Sequence, residues 1–459
     1  MITARAFSGK QYMVLGLARS GMAVVESLLA SGARVTAWDR QLEPREALAG
    51  RAEIADPLEI PLEGFDAIVV SPGVPLNTHP LVPRAKAAGV PVIGDIELFA
   101  QARAELPEHF VVGITGTNGK STTTALVHHI LKSAGVSTIM GGNIGLPIMA
   151  QQPLEANDAG LPVYVLELSS YQIDLTYSLK CKVAALLNIT PDHLDRYENF
   201  AAYAAAKARL MWMLDDFGVA LLPESAAHLP AIAALRGANA PFEWLGPDFD
   251  DAGQADWPTL QGPHNLENAA FAARICGELF LSNGQIADGL RSYPGLPHRM
   301  ERVTTRDGVL YVNDSKATNP ASTAPALAAF PPEEGRKRIH WICGGLAKED
   351  NLNDCAPHFG NVARAYTIGE AGALFTRLLE PHMPVEPCEL LAQAVNKARQ
   401  NAVPGDVVML SPACASFDQF RDYEIRGDTF KELVAQLCCD GDREACGLDE
   451  PAGEAGSMG

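Results

Sequence analysis

Seven consecutive residues, Gly116, Thr117, Asn118, Gly119, Lys120, Ser121 and Thr122, have the types that hold phosphate. They follow an apolar run over 110–114 and open a stretch of helical spacing over 123–133. Between a strand and a helix, successive backbone N–H groups and the helix N-terminus cradle phosphate oxygens, and glycine lets the chain approach closely. Lys120 would reach the β- and γ-phosphates of a nucleotide, while Ser121 or Thr122 would hold Mg²⁺. The spacing departs from the strict G-x-x-x-x-G-K-[ST] pattern, because Ile114 stands where the first glycine belongs. The strand before and the helix after make a chance glycine-rich turn the weaker reading.

Two further segments fit nucleotide chemistry. Glu167 closes an apolar run over 163–167 and precedes Ser169, Ser170 and Gln172. A carboxylate at the C-terminal end of a buried strand is a natural Mg²⁺ ligand. The segment 188–195 likewise follows a strand-like run and brings His193 to the same edge. A lone strand-end histidine is more often a packing residue than a ligand, so His193 draws its weight from Glu167 and Lys120.

The elements that must position these residues can be read from the pattern. Strands are expected over 12–15, 34–38, 67–70, 110–114, 163–167, 183–188, 309–313, 339–343 and 407–410, with helices over 21–31, 123–133 and 200–214. Apolar strands alternating with amphipathic helices predict parallel α/β sheets. A chain of 459 residues is too long for one core and long enough for about three domains. Residues 106–109 read as a linker and a third unit begins near 297–298, which divides the chain into 1–108, 109–297 and 298–440. The tail 441–459 is Gly-rich, acidic and almost without large apolar residues, and is expected to be disordered. No period of 20–50 residues is present, which excludes solenoids and propellers.

Composition narrows the function. The net charge of −19 argues against non-specific binding to nucleic acid or anionic membrane. Anionic substrates would then need local clusters of Lys, Arg and backbone N–H groups. The longest apolar runs, 67–70 and 183–187, fall far short of the roughly 20 residues that span a bilayer. Arg5 and Lys10 before an apolar stretch mimic a secretory signal, but Arg19 and Glu26 interrupt it, and strand, turn and helix fit better. Nine cysteines without a C-x-x-C pair suit neither a disulfide scaffold nor a zinc site, and read as thiols in a reducing cytoplasm.

With these segments in hand, the sequence resembles the Mur ligase family from the first glycine turn to about Asp440. The pieces that carry the likeness are residues 116–122, 167–172, 192–197, 262–268, His298 with Arg299, 313–319 and 410–420. The resemblance implies three α/β domains: a Rossmann-like N-terminal domain for a uridine nucleotide, a central P-loop mononucleotide-binding domain, and a Rossmann-like C-terminal domain that closes over the amino acid. It implies an ATP-dependent acid–amino-acid ligase that uses ATP and two Mg²⁺ ions. Such an enzyme would join D-glutamate to UDP-N-acetylmuramoyl-L-alanine through an acyl-phosphate, a cytoplasmic step of peptidoglycan synthesis on which cell shape and division depend. The chain is expected to act as a monomer, without nucleic-acid or membrane partners.

By match to the family's motifs, Arg19, Ser20, Asp39, Arg40, Gly73 and Asn143 would contact the UDP-sugar. The loop Gly116 to Thr122, with Asn265, Asn268, Arg299, Asp314 and Lys316, would serve ATP. Ser121, Glu167, His193 and a carbamylated Lys207 would ligate the metals, with Lys120, Lys207, His193 and Lys316 as the catalytic set. Thr318, Lys348, Ser416, the backbone at Phe417, and Tyr423 would hold D-glutamate. From the residues alone, Lys207 reads as an exposed helical lysine.

The first turn, residues 16–21, carries Ala18 where a dinucleotide fingerprint has its middle glycine, which hinders a close pyrophosphate approach. One rival reading is an NAD-dependent oxidoreductase with Asp39 on the ribose hydroxyls. Others are a nucleotide-gated binding protein, another amino-acid ligase of the same fold, and folylpolyglutamate synthetase, which shares the glycine loop but lacks a UDP-binding first domain.

Overall fold

The structure is a computed structural model that describes residues 1–192, 196–237, 241–246 and 253–437. His193 and the expected acidic tail lie outside the described residues. The chain divides into two compact units, Met1–Tyr293 and the segment from Pro294 onward.

The first unit holds two parallel sheets. Strands β1 (Gln11–Leu15), β2 (Arg34–Trp38), β3 (Glu53–Ile54), β4 (Ala67–Val70) and β5 (Val92–Ile93) lie in the order β3-β2-β1-β4-β5. The chain leaves β1 in one direction for β2 and β3 and in the other for β4 and β5. That reversal opens a crevice beyond the carboxyl ends of β1 and β4, the place where open α/β sheets bind ligands. The second sheet contains β6 (Phe110–Thr115), β7 (Thr138–Gly142), β8 (Val163–Glu167), β9 (Cys181–Leu186), β10 (Leu214–Pro223) and β11 (Phe242–Leu245), in the order β11-β10-β9-β6-β8-β7. Ile114 of β6 stands opposite Glu167 of β8, and Thr115 stands opposite Leu186 of β9. Three neighbouring strands therefore deliver the glycine loop, the acidic residue and the Asn188 segment to one edge.

One continuous core runs beneath both sheets, from Ile2, Val14 and Phe99 to Tyr164, Leu210 and Leu235. Near-continuous apolar strands such as β4 and β8, fully buried along their length, are what parallel sheets covered on both faces require.

The second unit is one six-stranded sheet: β12 (Glu301–Arg306), β13 (Val309–Asn313), β14 (Ile339–Gly344), β15 (Val362–Ile368), β16 (Val385–Glu389) and β17 (Val407–Leu410). Its order is β12-β13-β17-β14-β15-β16, parallel except for the β12–β13 hairpin. The adjacent strands β13, β17 and β14 end at the three segments expected to hold the amino acid.

Two expected helices differ from those observed. The helix behind the glycine loop begins at Lys120 rather than at 123, because Gly119 takes a left-handed conformation and serves as its N-cap. The helix expected over 200–214 stops at Ala208, a 3₁₀ turn covers Arg209–Trp212, and β10 starts at Leu214. Leu210 and Met211 continue the apolar spacing but pack into the core from the 3₁₀ turn, which explains the overextension.

Candidate functional site

The glycine loop is braced from the end of β9. Asn188 accepts from the Asn118 amide at 2.9 Å and donates to the Asn118 carbonyl at 3.2 Å, while its own carbonyl accepts from the Thr117 amide. Gly119 has φ +79°, and a Cβ there would meet Oδ1 of Asn268 at 2.3 Å. Asn268 also accepts from Thr123 and donates to Asn265, so Asn268 meets the loop and Asn265 stands behind it. Lys120 folds back onto the loop, its Nζ donating to the Thr117 carbonyl at 2.7 Å. Ser121 is buried in the first turn of the helix and Thr122 lies beside it, half-buried.

Next to the loop lies a pair of buried ionisable groups. Glu167 has Oε1 bound by the Asn143 amide group at 2.9 Å, while Oε2 is buried with no hydrogen-bond partner. A buried carboxylate oxygen without a donor is costly unless a cation completes it. Lys207 is not an exposed helical lysine: it is 2% exposed. Its Nζ donates to the Gly116 carbonyl at 2.8 Å and sits 4.8 Å from the Tyr203 ring centroid. Burial, reinforced by the charge of Lys120, pushes its pKa down to about 7, against the pull of Asp192 and Glu167. The helix Phe200–Ala208 buries Tyr203, Ala204, Ala206, Lys207 and Ala208, so it has hardly a polar face. A lone lysine in such a helix was the signal of a buried amine.

Among the described residues no group of three or more His, Cys, Asp and Glu could hold a metal ion. The donors at this edge are fewer and different: the unpartnered Glu167 oxygen, the Ser121 hydroxyl and the Lys207 amine. A divalent cation fits the orphaned carboxylate oxygen, and a carboxylated lysine would supply a second anionic ligand.

At the first-sheet crevice, Asp39 is already engaged. Its carboxylate accepts from the Leu17 amide at 2.6 Å and the Gln41 amide at 2.9 Å, closing the turn after β1. Gly16 has φ +87°, and a Cβ at Gly21 would meet the Gly16 carbonyl oxygen at 1.8 Å, so the turn needs its outer glycines but not one at Ala18. Arg19 donates to the Gly145 carbonyl at 3.1 Å. Ser20 lies beside Ser71 and Pro72 in the crevice wall, and Arg40 is exposed. Gly73 is exposed on the loop after β4, and its carbonyl accepts from Arg196. Asn143, expected to touch the sugar, spends its side chain on Glu167.

In the second unit, Lys316 donates to the Tyr423 hydroxyl at 2.9 Å and lies 4.5 Å from that ring's centroid. Lys348 reaches Thr318 Oγ1 at 3.4 Å, so two of the residues expected to hold the amino acid are neighbours. Ser416 is 2% exposed and Phe417 is 70% exposed. Asp314 is buried, accepting from Ser411 Oγ at 2.7 Å and the Met300 amide at 3.1 Å. Burial raises its pKa to about 7, with Arg299 among the opposing influences. Sequence reasoning missed Arg426, a buried guanidinium that donates to Ser315 Oγ and to the carbonyls of Ser315, Cys414 and Ala415. It ties the loop after β13 to the loop after β17. Burial lowers its pKa to about 10, and only arginine keeps its charge in such a place.

Fold and site together define a phosphate-loop α/β protein followed by a separate unit that gathers lysine, serine and threonine at one sheet edge. Comparison with known proteins sharpens the class. Residues 10–94 match the "Mur ligase MurD-like, N-terminal domain", residues 114–241 the "Mur ligase middle domain" and residues 298–414 the "Mur ligase, glutamate ligase domain". The chain is 60% identical over 447 residues to the UDP-N-acetylmuramoylalanine–D-glutamate ligase of Novosphingobium aromaticivorans, covering 97% of this chain and 98% of that one. It is 56% identical to the like-named ligase of Sphingopyxis alaskensis, over 95% of this chain and all of the relative (100%). Among solved structures, MurF ligase from Thermotoga maritima in complex with ADP shares the fold at a TM-score of 0.59 and 14% identity, over 93% of this chain and 95% of that one. The chain belongs to the Mur ligase family.

Proposed function

We propose that this protein joins D-glutamate to UDP-N-acetylmuramoyl-L-alanine at the expense of ATP, as the names of its full-length relatives state for those proteins. The observation that carries the chemistry is the edge where the glycine loop, Lys120, the unpartnered oxygen of Glu167 and the buried amine of Lys207 meet. Domain bounds of 1–108, 109–297 and 298–440 fit this reading, with the acceptor at the first sheet, ATP at the second and the amino acid at the third.

The acceptor's carboxylate attacks the γ-phosphate of ATP, and both partners are anionic. Lys120, with the N–H groups of the loop, neutralises and orients the phosphate oxygens, which is most of what phosphoryl transfer requires. Mg²⁺ bound at Glu167, Ser121 and His193 would supply further charge neutralisation, and two ions suit the donor set once Lys207 is carboxylated. The lowered pKa of Lys207 leaves a large share of the amine neutral near pH 7, the form that adds to carbon dioxide as it loses a proton. Attack leaves ADP and an acyl-phosphate; the neutral amine of D-glutamate then attacks its acyl carbon, forming the C–N bond as the C–O bond to phosphate breaks and the amine gives up a proton. Lys348 with Thr318 supports recognition of one D-glutamate carboxylate, and Ser416 with the Phe417 backbone supplies neutral donors. His193 is the candidate acceptor for the amine proton. Among the described residues no helix is long and apolar enough to cross a membrane.

A structural use of Asp39 is favoured over the ribose reading, since both carboxylate oxygens already serve backbone amides. Phosphate release with UDP-N-acetylmuramoyl-L-alanine and each candidate amino acid tests the assignment. Release should require the acceptor and be completed by D-glutamate. ATP hydrolysis equally fast without acceptor, or equal use of L-glutamate, would overturn it.

A further inference from the structure

The crevice of the first sheet and the phosphate edge of the second belong to one unit, and a single line of side chains connects them. Arg196 donates from Nη1 to the Val74 carbonyl and from Nη2 to the Gly73 carbonyl, both at 3.1 Å. Its guanidinium lies 4.9 Å from the Tyr171 ring centroid. Tyr171 stacks on Tyr197 at 5.9 Å with an interplanar angle of 11°. Tyr197 packs against Tyr203 at 5.5 Å and donates to Asp174 at 2.8 Å. Tyr203 closes the line, its hydroxyl 3.2 Å from Thr117 Oγ1 and its ring under Lys207.

The other side of the 71–74 loop is fixed to the turn after β1, where Ser71 Oγ donates to the Gly16 carbonyl at 2.7 Å. The loop is thus held at both ends of the crevice, by a hydroxyl from within the first sheet and by a guanidinium from the second. Two consecutive carbonyls are bridged by the two ends of one planar fork, a geometry a lysine cannot reproduce. A cavity of about 150 Å³, walled by Pro72, Leu76, Tyr171 and Arg196 among others, lies against this contact.

We propose that Arg196 is a positioning residue for acceptor binding: it fixes the 71–74 loop at the first-sheet crevice in register with the phosphate loop, through Tyr171, Tyr197 and Tyr203. Arg196 does not touch the reacting atoms. It sets the distance over which the acceptor carboxylate is presented to ATP. The inference rests on the acceptor reading given above, and its test separates the two.

The test uses the full chain and the variants Arg196→Lys, Arg196→Ala and Tyr171→Leu. Titration calorimetry with UDP, steady-state KM values for UDP-N-acetylmuramoyl-L-alanine and ATP, and hydrogen exchange of the 71–76 amides are measured for each. Arg196→Lys should weaken UDP binding and raise the acceptor KM by about tenfold or more, while the ATP KM stays within about twofold. Tyr171→Leu should show a smaller change of the same pattern. Amides of 71–76 should exchange faster while those of β4 do not. Folded variants with an unchanged acceptor KM and unchanged loop exchange overturn the proposal, as does a fall in kcat with every KM unaltered. Should Arg196→Ala fail to fold, Arg196→Lys and Tyr171→Leu still decide. Wild-type protein that binds neither UDP nor the acceptor removes the reading itself, whereas wild-type binding with unaffected variants removes only the role of Arg196.

Discussion

The two glycine turns of the first unit occupy the same place in their sheets and are equipped differently. Each follows the first strand of a parallel sheet and leads into a helix. After β1, the Leu17 amide is taken by Asp39, and Arg19 is tied to the Gly145 carbonyl. After β6, the Asn118 amide is braced from Asn188, Gly119 caps the helix with no side chain, and Lys120 stands at its first position. The first turn is closed by a carboxylate from the next strand end and offers no lysine, whereas the second is closed by a neutral asparagine and puts Lys120 at the helix start. Position in the topology marks where a ligand can bind, and the unspent donors decide which ligand it is.

The largest effect should come from the second turn. Lys120→Ala removes the cation of the phosphate loop and should lower kcat by about a hundredfold or more, with the melting temperature nearly unchanged. A loss below about threefold would mean the two turns differ less than their chemistry says.

Gly119→Ala sets a Cβ 2.3 Å from Oδ1 of Asn268 at a positive φ. It should cost about 1–3 kcal/mol of stability and raise the KM for ATP, leaving the acceptor KM nearly alone. An unchanged ATP KM in a folded variant would break the link between this glycine and the nucleotide.

Asp39→Ala should do the reverse. It strands the Leu17 amide of the first turn and the Gln41 amide after β2, so about 1–2 kcal/mol of stability should go and acceptor binding should weaken, while the ATP KM holds. NAD binding by the wild type in a direct titration would contradict the structural use of Asp39.

The smallest effect concerns Asp95, which packs behind the first crevice beside Ser71 and Pro72 with Oδ2 unpartnered. Burial raises its pKa from 3.8 to about 6. The native state therefore holds a proton that the unfolded chain releases between those values, so native stability falls as pH rises through that window. Asp95→Asn cannot titrate. The melting temperature of the variant should rise relative to that of the wild type from pH 4 to pH 6, by an amount worth about 2 kcal/mol, and the difference should level off above pH 7. A gap independent of pH would show that Asp95 is not the group responsible.

Much of this frame was legible in the residues. β2, β4, β8, β13 and β17 fall where apolar runs end in turn residues, and the glycine loop announced its own strand and helix. Strands without a clean period were lost, β10 above all, because Asp215, Asp216 and Phe217 at its start are part- or fully exposed and mask the apolar end from Val219 to Leu222. Lys207 was placed through a family likeness, since its amine is received by the Gly116 carbonyl, far away in sequence. Arg426 escaped altogether, and Arg196 was seen only as part of the 192–197 motif, without its contacts. Both bind carbonyl groups rather than carboxylates, and a carbonyl leaves no trace in the choice of amino acid.

The shared core under the first two sheets bears on how the chain can be taken apart. Glu97, from the helix Asp95–Ala102, accepts hydrogen bonds from the Tyr177 amide and from the amide and hydroxyl of Ser178. Phe99 of that helix meets Tyr164 of β8 with ring centroids 5.1 Å apart. Cutting the gene near codon 108 would strip an apolar face and these hydrogen bonds, together with those of Arg19 and Arg196, from whichever half was kept. A protein engineer wanting an isolated nucleotide module should therefore cut near Tyr293, where one compact unit ends, and inherit the first sheet as part of the scaffold.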